Sequence, residues 1–567
     1  MKRHVWEDRI LVNSAGDFER DYAQTYAAFD LDTEAAELVG SLSDGINACV
    51  ETIDRYADTG RVALYWESQD GRSAQYTFAE LQKLSARFAN LLVAQGIGAG
   101  DVVAGLLPRT PELLVTILGT WRAGAVYQPL FTAFGPKAIE HRLRTSGAKL
   151  VVTDAANRAK LDEVEGLTFK IAQVPSGKPL PDGDIDFSAE LDRQSETFEP
   201  VLRRGSDLFL LMSTSGTTGL PKGVPVPLSA LLSFSAYMRE SVDLRPDDIF
   251  WNIADPGWAY GLYYAVTGPL LLGHATLFYD GGFTVKDTYR IIDKHGVTNL
   301  AGSPTAYRLL IAAGPEEAAG VKGKLRRVSS AGEPLNPEVI RWFAEHLAAP
   351  IYDHYGQTET GMVVCNHHRL KHTVHQGSAG LPLPGYRVAV LDDNLNELPP
   401  HTPGVLAIDI ARSPLLWFSG YLNQPTPAIT NGYYLTGDVM EQAEDGSVAF
   451  VGRSDDVITS SGYRIGPFDV ESALIEHPAV VETAVVGKPD IERTEIVKAF
   501  VVLSDKAEPS DELAEELRQY VRKRLSAHAY PREIEFVAEL PKTPSGKLQR
   551  FILRNQEIAK AREQAVQ

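Results

Sequence analysis

Apolar and polar residues alternate along roughly the first 150 positions with a spacing that switches between the helical and the strand period. From Phe78, apolar residues recur every three or four positions up to Gly96, and Thr77 with Glu80 has the spacing of a helix capping box. The strand-like sequences DVVAGLL and AKLVVTD flank a second helical stretch that begins at Pro111. This order predicts a wound α/β fold.

The middle of the chain changes pattern twice. Residues from about 155 to 205 are rich in Pro, Gly and polar side chains and predict a long surface excursion. A core strand is predicted at 208–212 and a helix from Ser229. Short strand-like runs bounded by turn residues between about 375 and 452 indicate a β-rich lobe that closes a large domain.

The tail reads as a separate unit. A helix from about Gly466, two strands and the helix 511–525 follow one another, and in that last helix Leu513, Leu517, Val521 and Leu525 lie on one face. The pattern predicts a fold of class α/β with a large N-terminal domain, 1–453, of wound α/β subdomains plus the β-rich lobe. A small α+β C-terminal domain, 454–567, follows it.

Composition narrows the functional classes. The formal net charge of −19 argues against nucleic acid as a partner. No run approaches the roughly 20 apolar residues of a membrane span, and Glu7 and Asp8 interrupt the region where a signal peptide needs an apolar core. Cys49 and Cys365 are far apart and fit neither a zinc site nor a disulfide scaffold. We therefore expect a cytoplasmic protein.

A loop of small and hydroxylated residues follows the strand 208–212. Such a loop brings backbone N–H groups and hydroxyls close to phosphate oxygens, and a lysine adds positive charge. A plain surface turn would have a similar composition, but the buried strand that feeds this loop favours phosphate binding. The Walker spacing GxxxxGK[ST] is absent. The candidate phosphate-binding residues are Thr214, Ser215, Gly216, Thr217, Thr218, Gly219 and Lys222.

The segment STSGTTGLPKG resembles the phosphate-binding signature of the adenylate-forming superfamily. Further motifs of that superfamily follow in order: AGEP, YDHYGQTETG, YYLTGD, GRSDDVITSSGYRIGPFDVE and PKTPSGKLQR. Within the superfamily the chain most resembles acyl-CoA synthetases of the medium-chain and acetyl-CoA branch. The resemblance implies an AMP-forming acid:CoA ligase that uses ATP, Mg²⁺ and coenzyme A, with a carboxylic acid as the second substrate.

The resemblance also implies an ATP site. Asp438 would hold the ribose hydroxyls, Arg453 would contact the ribose and phosphates, Thr358 would touch the α-phosphate, and Glu359 would bind Mg²⁺. The residues implied to line the adenine pocket are Gly332, Glu333, Pro334, Asp353, His354, Tyr355, Gly356 and Gln357.

Lys547 is implied as the principal catalytic residue, with Thr358 and Glu359 beside it. A cation that bridges the substrate carboxylate and the α-phosphate stabilises the charge that develops during adenylation. The small domain of related enzymes rotates between the two half-reactions, and Asp455 matches their hinge residue. The implied coenzyme A contacts are Ser461, Gly462, Tyr463, Arg464, Arg493 and Arg522.

Trp258, Tyr260 and Gly356 are the candidates for the acyl pocket. Acetyl-CoA synthetases carry a tryptophan where this chain has Gly356, so we expect room for a short- or medium-chain fatty acid or an aryl acid. Two alternatives stay open, an adenylation enzyme that loads a carrier protein and a nucleotide-binding protein without catalysis. The sequence leaves the oligomeric state open, with a homo-oligomer as one option.

Overall fold

The computed structural model of the 567-residue chain describes residues 10–11, 20–214, 221–460, 463–490, 493–525, 529–542 and 548–566. Two large sheets form the N-terminal part, and a smaller sheet forms the C-terminal part. The mixed α/β class with a large N-terminal and a small C-terminal part is confirmed.

The first sheet has seven strands, and all of its pairs are parallel except the one formed by Lys222–Pro227. In spatial order the strands are Lys222–Pro227, Leu208–Thr214, Val126–Pro129, Val102–Leu106, Leu150–Asp154, Lys170–Val174 and Ile185–Asp186. The central strands are buried along almost their whole length, as expected of a sheet covered on both faces.

Two helices beside this sheet form as the sequence predicts. Helix Phe78–Ala94 begins at the predicted capping box, in which Glu80 N donates to Thr77 Oγ1 at 3.2 Å and Thr77 N donates to Glu80 Oε2 at 2.7 Å. Helix Pro111–Arg122 starts with the predicted proline. The two helices approach closely because Gly119 has no side chain, since a Cβ there would lie 2.7 Å from Phe88.

The second sheet has eleven strands. In spatial order they are Phe250–Asn252, Asn299–Gly302, Arg327–Ala331, Ile351–Gln357, Gly361–Cys365, Ser378–Pro382, Val448–Arg453, Tyr433–Gln442, Gly404–Asp409 and Val388–Leu391, with Ile429–Thr430 beside Tyr433–Gln442. The first four run parallel and the others antiparallel. The predicted β-rich lobe is the antiparallel half of this sheet.

Smaller strands complete the N-terminal part. Thr276–Tyr279, Val62–Glu67 and Ser73–Thr77 form a three-stranded sheet, Ile10–Leu11 pairs with Val374–His375, and Arg20–Asp21 pairs with Leu370–Lys371. The other described α-helices of this part are Tyr22–Ala27, Leu31–Ala35, Ala48–Thr52, Pro136–Ser146, Ala159–Asp162, Phe187–Arg193, Ala230–Glu240, Ala259–Gly261, Gly268–Leu271, Val285–His295, Pro304–Ala312, Pro315–Ala318 and Pro337–Trp342. Single turns of 3₁₀- or π-helix lie at Asp54–Thr59, Leu262–Thr267, Ala319–Val321 and Phe343–Leu347.

The C-terminal part is built as predicted. Its sheet contains Tyr463–Ile465, Ile458–Ser460, Thr494–Leu503, Val480–Asp490 and Glu533–Phe536. Its helices are Pro467–Ile475, Asp511–Arg524 and Arg550–Val566. Leu517 and Val521 of the second helix are fully buried in the local core, which confirms the predicted apolar face.

Two expectations for the middle of the chain need correction. The excursion from 155 to 205 is not only surface loop, because it contributes the edge strands Lys170–Val174 and Ile185–Asp186 and the helix Phe187–Arg193. The helix predicted from Ser229 is present as Ala230–Glu240, but the strand Lys222–Pro227 precedes it. Among the described residues no helix is both long and apolar enough to cross a lipid bilayer.

Candidate active site

Two adjacent strands carry the ends of the candidate phosphate loop. Thr214 ends the strand Leu208–Thr214, Lys222 begins the next strand, and the two residues are paired across the antiparallel ladder. Lys222 is therefore held at the base of the loop. Ser215, Gly216, Thr217, Thr218 and Gly219 lie outside the described residues.

The carboxylate of Asp438 is the best-organised acidic group of the site. It is buried, with 4% of the residue exposed, and faces Arg453 directly across two strands. Arg453 Nη1 donates to Asp438 Oδ1 at 2.9 Å, Gln357 Nε2 donates to Oδ2 at 2.8 Å, and the Tyr355 hydroxyl also donates to Oδ2. Burial lowers the pKa of Arg453, but the carboxylates of Asp438 and Asp455 more than compensate and raise it. Three predicted ATP-site residues thus converge on a fourth.

The turn between the strands Ile351–Gln357 and Gly361–Cys365 places Thr358 and Glu359. The Tyr263 hydroxyl donates to the Thr358 carbonyl at 2.9 Å, and the Tyr421 hydroxyl donates to Glu359 Oε1 at 2.8 Å. Glu359 is only 7% exposed, and burial raises the pKa of its carboxyl, an effect that the Tyr421 hydrogen bond opposes. The turn presents a nearly buried carboxylate in a fixed orientation.

The AGEP segment approaches the same edge of the sheet. Gly332 adopts a positive φ of 96°, and Glu333 accepts hydrogen bonds from Thr305 at 2.7 Å and Arg308 at 2.9 Å. Asp353 accepts from Leu335 N at 3.1 Å through Oδ2, but its Oδ1 is buried and without a partner. Burial raises the pKa of Asp353 well above its usual range. The site therefore contains a buried acceptor that lacks a donor.

His354 lies behind this surface. Its Nδ1 accepts from the Tyr237 hydroxyl at 2.8 Å, and its Nε2 lies 3.1 Å from the Asn366 carbonyl. Burial lowers the pKa of His354 to about 3, so the ring is neutral at physiological pH. With both nitrogens engaged, His354 supports the strand that carries the site.

The candidate acyl-pocket residues differ in what surrounds them. The ring of Trp258 packs against Phe131 and Phe134 at 5.5 and 5.4 Å, and the buried Trp258 Nε1 has no hydrogen-bond partner. A Cβ at Gly356 would lie 2.1 Å from the Gly361 carbonyl oxygen. Glycine is thus required by the strand irregularity at Tyr355/Gly356, and backbone occupies the space into which a side chain would project.

Comparison with known proteins identifies the family. The AMP-binding enzyme family matches residues 52–422, and the AMP-binding enzyme C-terminal domain matches residues 469–547. This chain belongs to the AMP-binding enzyme family. Acetyl-coenzyme A synthetase of Bacillus subtilis (strain 168) is 39% identical over 557 residues, with 95% of each chain covered.

Solved structures of this family resemble the chain over nearly its whole length. The acyl-CoA synthetase of Brucella canis is 66% identical, with 96% of this chain and 100% of that chain covered and a TM-score of 0.79. A benzoate CoA ligase from Burkholderia xenovorans LB400 is 27% identical, with coverages of 90% and 100% and a TM-score of 0.78. The predicted superfamily and enzyme class are confirmed: the chain is an ATP-dependent, AMP-forming acid:CoA ligase.

The small domain of this AMP-binding enzyme docks beside the site. Asn336, near the AGEP segment, donates to Ser472 Oγ at 2.9 Å, and the rings of Phe450 and Phe468 lie 6.4 Å apart. Arg550 Nη2 donates to Glu471 at 2.6 Å. Burial lowers the pKa of Arg550, but Glu471 and, more weakly, Glu333 raise it above the usual value. The segment around Arg550 therefore lies within electrostatic range of the adenine-side motif.

The predicted hinge residue Asp455 is held by the last helix. Arg554 Nη1 donates to the Asp455 carbonyl and, at 2.7 Å, to Asp456 Oδ1. Arg453 Nε lies 3.7 Å from the Asp455 carboxylate. The guanidinium of Arg453 thus lies within ion-pair distance of the predicted hinge residue.

The predicted coenzyme A residues are only partly described. Arg493 Nη1 lies 3.8 Å from Asp490 Oδ1, and the Arg522 guanidinium lies 5.4 Å from the centre of the Tyr530 ring. Tyr463 and Arg464 belong to the strand Tyr463–Ile465. Ser461, Gly462 and Lys547 lie outside the described residues.

Two functional candidates, Tyr421 and Tyr434, escaped the sequence analysis, and Tyr263 binds a different part of the site from the acyl pocket suggested by its aromatic stretch. Tyr421 and Tyr263 bind the Glu359 turn, and Tyr434 donates to Gln357 Oε1 at 2.9 Å. Tyr421 lies between two of the motifs and Tyr434 lies within YYLTGD, and a single tyrosine at either position looks like an ordinary core residue. Only the fold shows which of them reach the site.

Proposed function

We propose that this enzyme activates a short- or medium-chain fatty acid, or an aryl acid, as its acyl-adenylate and then transfers the acyl group to coenzyme A. The observation that carries the proposal is the Asp438 carboxylate, held by Tyr355, Gln357 and Arg453 at the edge of the sheet. A carboxylate fixed in this way can accept hydrogen bonds from both hydroxyls of a ribose.

The adenine side of the site supports the same reading. Asp353 Oδ1 is buried without a donor, which costs free energy unless a ligand supplies one. The exocyclic amino group of adenine is such a donor. Gly332, with its positive φ, lets the AGEP backbone turn sharply beside it.

The residues present fit a magnesium ion that is shared with the nucleotide. The described residues contain no group of three or more His, Cys, Asp or Glu that could hold a metal ion alone. A single buried carboxylate, Glu359, suits an ion that completes its coordination with phosphate oxygens and water. When bound, Mg²⁺ supplies neutralising charge on the phosphates. Glu359 would hold it, and Lys222 would add a second cation at the loop.

We assign the adenylation step to Lys547 and the hinge to Asp455. The ε-ammonium of Lys547 would bridge the acid and the α-phosphate in the transition state. Rotation about Asp455 would then remove the lysine and present Ser461, Gly462, Tyr463 and Arg464 to coenzyme A, with Arg493 and Arg522 as phosphate contacts. The hydrogen bond from Asn336, next to the AGEP segment, to Ser472 of the small domain supports an arrangement in which that domain lies beside the ATP site.

The acid class rests on Trp258 and Tyr260. Both belong to an aromatic region, and the buried Trp258 Nε1 has no protein partner, which suits a ligand with some polar character near an otherwise apolar wall. Gly356 supports the proposal less, because its missing side chain is explained by the backbone. The proposal includes a reducing, cytoplasmic compartment, which the two buried free cysteines support.

ATP–pyrophosphate exchange over a panel of acetate, butyrate, hexanoate and benzoate tests the substrate class. Each methylene buried in the pocket contributes about 0.8 kcal/mol, so we expect a graded preference that favours acids larger than acetate. A strong preference for acetate over all the others would refute the acid class. Faster AMP release on addition of free coenzyme A would separate this function from the loading of a carrier protein.

The variant Lys547→Ala tests the assignment of the half-reactions. We expect loss of about 10²-fold or more in adenylation, with most thioester formation from preformed acyl-adenylate retained. Lys542→Ala is a matched control, because Lys542 lies five residues earlier and binds Glu482 at 2.6 Å. Equal loss of both half-reactions in Lys547→Ala would contradict the two-conformation scheme.

A further inference from the structure

Tyr421 lies on a segment that connects the phosphate-loop strand to the Glu359 turn. Leu422 N donates to the Gly223 carbonyl at 2.9 Å, next to Lys222, and Tyr421 N donates to Thr426 Oγ1 at 2.8 Å. These two backbone hydrogen bonds fix the position of Tyr421 relative to the base of the loop.

The side chain of Tyr421 contacts two groups of opposite charge. The Lys222 ammonium lies 4.5 Å from the centre of its ring, within the range of a cation–π interaction. Its hydroxyl donates to Glu359 Oε1 at 2.8 Å. The face of the ring thus contacts the Lys222 ammonium, and the hydroxyl at its edge binds the Glu359 carboxylate.

Neighbouring aromatic rings hold Tyr421 in place. The Phe418 ring lies 5.2 Å from Tyr421 and 5.3 Å from Tyr434, in edge-to-face contact with each. Phe418 is only 4% exposed, so it belongs to the core. A ring packed in this way can orient Lys222 and Glu359 without moving itself.

Lys222 and Glu359 carry opposite charges and contact the same aromatic side chain. A direct ion pair would occupy the ammonium and the carboxylate with one another. The tyrosine offers each of them a different partner.

We propose that Tyr421 is a positioning residue that holds Lys222 and Glu359 apart and ready to receive the phosphates and the metal ion of MgATP. The inference deepens the proposed function and rests on it. Tyr421 does no chemistry in this scheme, because it acts through the two groups that it orients.

Calorimetric titration with ATP, with and without Mg²⁺, tests the inference without relying on turnover. Tyr421→Phe keeps the ring over Lys222 and loses the hydroxyl at Glu359. We expect its affinity for MgATP to fall about tenfold, the scale of one hydrogen bond to a charged group, and its affinity for metal-free ATP to stay within about twofold. Tyr421→Leu removes both contacts, so we expect lower affinity for MgATP and for metal-free ATP.

Tyr433→Phe is the matched control. The Tyr433 hydroxyl donates to Glu397 Oε1 at 3.0 Å on the surface, so this variant loses the same type of hydrogen bond away from the site. We expect its affinity for both forms of ATP to equal that of the parent. The inference would be wrong if Tyr421→Phe bound MgATP as tightly as the parent. It would also be wrong if this variant lost affinity for MgATP and for metal-free ATP by the same factor.

A double-mutant cycle with Glu359→Gln separates positioning from a general effect on folding. If Tyr421 acts through Glu359, adding Tyr421→Phe to Glu359→Gln produces little further loss of MgATP affinity. Fully additive losses would overturn the inference even if Tyr421→Phe lowered stability. Failure of the parent protein to bind ATP would instead refute the proposed function, so the two failures are distinguishable.

Discussion

Replacing Asp438 by asparagine tests the organisation of the nucleotide site most directly. The two carboxylate oxygens face different donors: Arg453 approaches Oδ1, and Gln357 and Tyr355 approach Oδ2. An amide offers only one acceptor oxygen. Whichever way the amide is turned, its NH₂ group faces the donor of Arg453 or that of Gln357.

The expected loss follows from that conflict. One hydrogen bond to a charged group contributes about 1.5–3 kcal/mol, and the ribose loses a charged acceptor as well. Arg453 Nε still lies 3.7 Å from the Asp455 carboxylate, and this second negative charge reduces the loss of ATP affinity. We therefore expect the ATP dissociation constant of Asp438→Asn to rise about 10- to 100-fold, equivalent to about 1.4–2.8 kcal/mol.

Calorimetric ATP binding and the ATP dependence of pyrophosphate exchange measure this loss. Asp409→Asn is a suitable control, because Asp409 lies in the same lobe, 3.7 Å from Arg387, away from the site. An unchanged dissociation constant in Asp438→Asn would refute the ribose assignment. A fall in kcat with an unchanged KM for ATP would show that the carboxylate acts later in the reaction.

Two further predictions concern the hinge and the pH dependence of stability. Arg554→Ala removes the contacts to Asp455 and Asp456, so we expect single-turnover adenylate formation to slow roughly tenfold and thioester formation to slow less. Arg562 is exposed, so Arg562→Ala is the control. Equal slowing of both half-reactions in Arg554→Ala, or the same slowing in Arg562→Ala, would contradict the prediction. Burial lowers the pKa of His354 to about 3 from an unfolded value near 6.5, so its contribution to stability is complete above pH 6.5 and is lost as the pH falls toward 3. At pH 5.5, burying this one histidine in its neutral form should lower the free energy of unfolding by about 1.4 kcal/mol relative to neutral pH. The urea midpoints at pH 7.5 and 5.5 measure this loss. A midpoint that does not change with pH would contradict the prediction.

Local chemistry explains which parts of the fold the sequence predicts. The Thr77–Glu80 capping box and Pro111 fix helix starts through neighbouring residues alone, so both are visible in the sequence. The strand Lys222–Pro227 is harder to predict, because prolines occupy positions 225 and 227 and its stability comes from pairing with Leu208–Thr214. Edge strands such as Ile185–Asp186 likewise depend on a partner distant in sequence.

The site shows the same division. Asp438 and Glu359 lie within recognisable motifs, and the structure gives both of them partners within the site. Tyr421 has no such signal, since its role depends on contacts with residues 62 positions and more away. The sequence argument for Gly356 considered the side chain that is missing and could not anticipate the backbone that lies beside it.

The guanidinium of Arg453 lies between two carboxylates that have different proposed roles. It donates to Asp438 on one side and lies 3.7 Å from the carboxylate of Asp455, the proposed hinge residue, on the other. Any change in the hinge that alters this guanidinium must also alter the free energy of nucleotide binding, and reciprocity requires the nucleotide to bias the hinge by the same amount. Under the proposed roles of Asp438 and Asp455, rotation of the small domain and retention of the adenosine moiety are thermodynamically coupled through this one side chain, and completion of the thioester step favours departure of AMP.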